Sequence, residues 1–156
     1  MLRRNRKNSD AGSKGLAIVE FVVVLPICLM LLLVVGEFGR AFMQYNVLTK
    51  SARDAIRYVA ANASPGQTGT ISITGTVQTE TQNLVVYGNT GGTGSAVLPG
   101  LTAGAVTVAN AGGGNVSVSV SYPYAPMFTL IPGFSYGSDT STSGFNLQTA
   151  VTMRAL

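Results

Sequence analysis

Twenty consecutive residues, Leu16 to Val35, hold one carboxylate, Glu20, in a run that is otherwise apolar or small. An α-helix of that length rises about 30 Å, the thickness of a bilayer's hydrocarbon core. No other part of the chain is large or apolar enough to wrap such a helix, so it is expected to cross a membrane. A secretory signal would have a shorter apolar region ending in a small-residue cleavage site, whereas this run continues to Val35, Gly36 and Glu37 without one. Arg3, Arg4, Arg6, Lys7 and Lys14 precede it against Asp10 alone. The positive-inside rule then places a basic leader, residues 1–15, in the cytoplasm, the transmembrane helix at 16–36, and the remainder outside. Cys28 sits in mid-span as a small apolar residue and has no partner for an intrachain disulfide.

The charge of the chain supports an anchor and excludes most other roles. Ten Lys and Arg face six Asp and Glu, for a net charge of +4. The excess lies in the leader: Arg40, Lys50, Arg53, Arg57 and Arg154 are matched by Glu20, Glu37, Glu80, Asp54 and Asp139. No basic stripe remains for nucleic acid, which is not expected as a partner. The chain has no histidine, which removes the commonest general base and zinc ligand together. Beyond the helices only Glu80 and Asp139 are acidic, far apart in sequence, so no catalytic residue, metal site or cofactor is expected. The glycine-rich stretches at 88–94, 111–115 and 137–144 match no phosphate-binding pattern and read as flexible loops.

Past the membrane the helical pattern continues. Phe38, Phe42, Tyr45, Leu48, Ala52, Ile56 and Val59 recur every three or four residues, the stripe of an amphipathic extracytoplasmic helix over 37–62. Glu37 with Arg40, Lys50 with Asp54, and Asp54 with Arg57 are oppositely charged at helical spacing. A helix from Leu16 to Ala61 is about 69 Å long, with Pro26 and the Gly36 and Gly39 pair as expected bends. Pro65 and Gly66 are expected to end it. From residue 63 to 156 short alternating runs follow: Ile71 to Val77, Val106 to Val108, Val116 to Tyr122, and Leu147 to Met153. Period-two alternation predicts four or five half-buried strands whose apolar face is covered by the outer half of the long helix. The fold class is α+β: a long transmembrane and amphipathic helix followed by a small antiparallel β-sheet domain.

Glu20 is the sharpest single feature, because a carboxylate inside an apolar span costs about 2 to 3 kcal/mol unless it finds a partner. Cleavage after Gly15 would supply one, since the new amino group on Leu16 is largely positive near neutral pH. A basic leader, Gly15, and an apolar helix with Glu20 at its fifth position resemble the class III signal of type IV prepilins. Glu20 followed by Phe21 resembles the Flp subgroup of that signal. The stretches Gly15 to Pro26, Gly36 to Arg40 and Leu48 to Ala60 are similar to the TadE-like pseudopilins of tight-adherence pilus systems. So are Val116 to Tyr122, the Tyr122-Pro123-Tyr124 segment, and the closing Ala150 to Arg154.

That resemblance implies a minor pilin-like (pseudopilin) protein with a pilin-like fold in the bacterial cytoplasmic membrane. Its processing site is Gly15 and Leu16, cut by a prepilin peptidase, and Glu20 sets register by pairing with the new N-terminus. Its partners are the lipid bilayer, the peptidase, other pilin or pseudopilin subunits and pilus assembly proteins. The alternative is an uncleaved single-pass protein whose outer domain binds in the cell envelope.

Overall fold

A computed structural model of the chain describes residues 9–63, 71–127 and 145–156. The basic residues Arg3, Arg4, Arg6 and Lys7, the stop at Pro65 and Gly66, and the 137–144 loop with Asp139 lie outside the described residues. Three strands and two helices make an α+β fold: α1 (Ser9–Asn62), α2 (Gly75–Tyr87), β1 (Val106–Gly112), β2 (Asn115–Pro123) and β3 (Asn146–Arg154). The sheet is antiparallel in the order β1-β2-β3.

α1 is one continuous helix that runs through Pro26. It is the helix among the described residues long and apolar enough to cross a membrane, with a window of mean hydropathy 3.1, none of which the rest of the chain covers. Its outer half is one-sided. Ala41, Leu48, Ala52, Ala55, Ile56, Val59 and Ala60 are buried, spaced to lie on one face of a 3.6-residue helix. The alanines let a sheet approach closely, and Val116, Val118, Val120 and Tyr122 of β2 complete the core with Leu147 of β3. β2 alternates buried and open positions as the sequence predicts. Its nine residues span about 30 Å, close to the roughly 35 Å that α1 rises from Glu37 to Ala60. The sheet therefore lies along the helix. The Leu156 N–H donates to the Ala60 carbonyl (2.9 Å) at the far end, and Tyr124 reaches Glu37 at the near end.

The structure corrects three sequence expectations. First, Phe38, Phe42 and Tyr45 are exposed, at 59%, 66% and 38%. Leu48, Ala52, Ile56 and Val59 of the same stripe are buried as expected, and toward the apolar half of the helix the buried residues are Glu37 and Ala41 instead. Second, Ile71 to Val77 does not form a strand. Residues 71–74 are extended but unpaired in a sheet, tied to the end of α1 by the Ser72 N–H donating to the Ala63 carbonyl (2.7 Å), and α2 begins at Gly75. Thr74 caps that helix by accepting from the Val77 N–H (3.3 Å). Gly88, at φ 73°, closes it and donates to the Leu84 carbonyl. The β-branched composition argues for a strand, but burial of Thr81, Val85 and Val86 on one face decides for a helix. The Thr81 hydroxyl is satisfied by the Val77 carbonyl (2.5 Å). The described residues accordingly hold three strands where four or five were expected.

Third, the glycine-rich stretches at 88–94 and 111–115 are ordered turns. Asn89 braces the first by donating to the Thr93 carbonyl (2.7 Å) and accepting from the Thr93 N–H. The second joins β1 to β2 through Gly112, Gly113 and Gly114 at φ 79°, 60° and 80°, a conformation that penalises any side chain.

The burial pattern separates the two apolar sets of α1. Ile56→Ala, at a fully buried position, is expected to destabilise the full chain by about 2 to 5 kcal/mol, whereas Phe42→Ala leaves stability nearly unchanged. Thermal unfolding of the two variants in detergent micelles, followed by circular dichroism, checks this; equal losses would refute the assignment of buried and exposed positions.

Candidate functional site

The exposed span holds the residues singled out in the sequence. Gly15, Leu16 and Glu20 all lie within the continuous helix α1 and are exposed; Leu16 is 72% exposed. Among the residues from Gly15 onward that the structure describes, no side chain forms a hydrogen bond or ion pair with Glu20, which is exposed on the apolar segment. Cys28 is exposed too.

A second cluster sits where the span meets the outer domain. Glu37 is only 2% exposed although its carboxylate follows the apolar run by two residues. Oε1 accepts from the Tyr124 hydroxyl and from the backbone N–H of Met127 (3.0 Å). Arg40, one turn on, lies 3.7 Å from the same oxygen through Nε. Its Nε donates to the Tyr124 hydroxyl (3.2 Å) and its terminal nitrogen donates to the Ala125 carbonyl. The guanidinium carbon stands 5.3 Å from the Tyr124 ring centroid. Phe145 stacks against that ring, centroids 5.1 Å apart, and its carbonyl accepts from the Tyr124 N–H (3.0 Å).

The Glu37 carboxylate, the Tyr124 hydroxyl and the Arg40 guanidinium therefore each find a partner inside the chain, which is what allows a carboxylate to be buried. Of the three charge pairs expected on α1, only Glu37 with Arg40 closes; the other two do not come within ion-pair distance. The sequence reading found that pair and the Tyr122-Pro123-Tyr124 segment, but did not join them. The two are 84 residues apart, and no local periodicity reports such a contact.

The tyrosines carry the electrostatic signature of the outer domain. Burial pushes the Tyr124 phenol above its ordinary value, helped by its bond to Glu37 and opposed by Arg40. Burial also raises Tyr122, whose hydroxyl donates to the Pro99 carbonyl (2.8 Å). Tyr58 is raised first by its hydrogen bond to Glu80, which ties α1 to α2. Hydrogen bonding to Tyr124 likewise raises the Arg40 guanidinium.

Two concavities lie elsewhere. One of about 410 Å³ on the outer face of the sheet is lined by Thr107, Ser119, Ser121, Gln148 and Thr149 among others. Another of about 300 Å³ lies between α1 and α2, with Val47, Lys50, Asp54, Leu84 and Val97 in its wall. Among the described residues no group of three or more His, Cys, Asp or Glu side chains meets.

The architecture defines a class: an extramembrane α+β domain built on the outer half of a single helix able to anchor it in a membrane. Residues 15–57 match the model of the family described as TadE-like protein, the family the sequence resembles. The match begins at Gly15 and ends at Arg57, so it falls entirely within α1. Searches of curated proteins and of solved structures gave no match.

Two predictions follow from this geometry. Glu37→Ala removes the carboxylate that accepts from the buried Tyr124 hydroxyl and from the Met127 N–H and is expected to cost about 1 to 3 kcal/mol, while Glu37→Gln, which keeps an oxygen in place, costs less. Thermal unfolding of the full chain in micelles distinguishes them, and an unchanged midpoint in Glu37→Ala would show the cluster to be idle. In alkali the raised tyrosines act together. A phenol whose folded pKa exceeds its unfolded value of about 10 contributes stability that is complete below that pH and is lost as pH rises through the folded value. The melting temperature should fall steeply above about pH 10, and Tyr58→Phe should flatten that fall.

Proposed function

We propose that this chain is a minor pilin-like (pseudopilin) subunit of a tight-adherence, Flp-type pilus system, anchored in the cytoplasmic membrane by residues 16–36 with its leader in the cytoplasm. The observation that carries the reading is the TadE-like match over 15–57, which coincides with a helix whose apolar half no part of the chain covers. In this reading a prepilin peptidase cuts between Gly15 and Leu16. Glu20 then pairs with the new amino group of its own or a neighbouring helix. Such a pair in lipid sets the register between helices, a role better attested for buried charges than net stabilisation. The partners are other pilin or pseudopilin subunits, the assembly proteins and the lipid itself.

The peptide bond to be cut lies inside α1, which runs unbroken from Ser9. The peptidase must therefore unwind about a turn before the bond can enter its active site, and Gly15 is the residue that resists unwinding least. The same continuity favours the second reading, an uncleaved single-pass anchor with an envelope-binding domain.

Intact mass and N-terminal sequencing of protein recovered from membranes containing the cognate prepilin peptidase decide between them. A start at Leu16, abolished by Gly15→Val, is the expected outcome, and Glu20→Gln is expected to be processed yet fail to co-purify with other subunits. A start at Met1 in the presence of active peptidase would discard the processing step and leave the anchor reading.

A further inference from the structure

We propose that the foot of the outer domain, Tyr124 to Met127 with Phe145, seats in the lipid headgroup layer on the domain's side of the membrane, giving the chain a second contact with lipid. This inference rests on the reading of Leu16 to Val35 as a membrane span. Its basis is a short chain of distances. Glu37 follows Val35 by two residues and so lies about 3 Å beyond the hydrocarbon edge. The headgroup layer there is about 5 to 8 Å deep, the difference between the core and the whole bilayer shared between two faces. The Met127 N–H is 3.0 Å from the Glu37 carboxylate, which fixes Met127 within that layer. The seat is thus continuous with the span.

The surface of the foot suits this location. Met127 is 66% exposed and Phe145 43%, so apolar atoms face outward at the level of the headgroups. The polar groups beside them are already satisfied: Tyr124 and the Met127 N–H by Glu37, and Arg40 by Tyr124 and the Ala125 carbonyl. Seating the foot therefore strands no hydrogen bond. Glu37 itself is covered, and the charged group left partly open at the foot is Arg40, with its side chain 34% exposed. A cation with an aromatic ring behind it complements lipid phosphates, as interfacial Arg and Tyr do. A partner protein would need no such coincidence of height, apolar tip and single positive charge. The consequence is mechanical. Because α1 and the sheet share one core, a second contact with lipid at the foot holds the tilt of that body against the membrane plane and keeps the sheet at a fixed height above it.

The test uses the full chain in the Cys28→Ser background, with one nitroxide label at a time introduced through Met127→Cys, Leu31→Cys or Ala111→Cys. Reconstituted into phosphatidylcholine–phosphatidylglycerol vesicles, each variant is read for accessibility to oxygen, which enters lipid, and to a nickel chelate, which stays in water. Position 31 reports the span; position 111 reports the distal end of the sheet, beside the β1–β2 turn. The expected result is an oxygen-to-nickel ratio at 127 well above that at 111 and approaching that at 31. A ratio at 127 equal to that at 111, with 31 still in lipid, overturns the seat and leaves the span intact. Water-like readings at both 31 and 127 overturn the span reading and the seat with it.

Discussion

A three-stranded sheet has one apolar face and needs a cover, and in this chain the cover is the second half of a helix whose first half is long and apolar enough to cross a membrane. Val116, Val118, Val120 and Tyr122 stand in a row on β2 and meet Leu48, Ala52, Ile56 and Val59 in one core. Remove α1 and that row faces water. The rest follows from the shared helix. Because 54 residues form one unbroken rod, the core of the domain and its anchor are parts of one body. α2 adds the second side of the cover, held by the Tyr58 to Glu80 bond.

The demand on α1 changes at Gly36 and Glu37. Before them every face must suit lipid; after them one face must suit a protein core and the others water. Two carboxylates bracket the apolar half and are treated oppositely. Glu37 is buried against Tyr124, Met127 and Arg40 within the chain. Glu20 meets no partner among the described residues from Gly15 onward. A charge in lipid without a partner is unfavourable, and the proposed cleavage would give Glu20 one in the new terminus. That asymmetry is the physical ground for the proposed processing and pairing.

How much of this the sequence reveals depends on how local each signal is. The span and the length of α1 are read from composition and period alone, and both are found. β2 and β3 also announce themselves, since Val116 to Tyr122 and Leu147 to Thr149 alternate without exception. The buried stripe of α1 is read correctly at Leu48, Ala52, Ile56 and Val59 but not at Phe38, Phe42 and Tyr45, because aromatic size argues for burial where the chain instead buries Glu37 and the small Ala41. α2 is missed because Thr and Val favour strands in general; Thr74 and Gly88, a cap and a stop enclosing thirteen residues, hold the readable signal. Glu37 with Tyr124 is beyond sequence reading, because the residues meet only once β2 has paired and laid its end against the foot of the helix.

The outer surface shows what kind of recognition such a body can use. From Asn62 onward only Glu80, Asp139 and Arg154 are charged, and the outer concavity of the sheet is lined by small hydroxyl and amide side chains. A face of that kind exerts no long-range field, so it neither steers a partner nor rejects one by charge. In free solution that would make association slow and undiscriminating. The proposed membrane span would change the terms: it confines the chain to a plane, raises the effective concentration of anything anchored beside it, and sets which end of the domain faces the membrane. Weak, uncharged contacts then suffice, because orientation is set before the surfaces touch. The Glu37, Arg40 and Tyr124 cluster fits this scheme, since it ties the end of β2 to α1 where the core of the domain gives way to the apolar half of the helix.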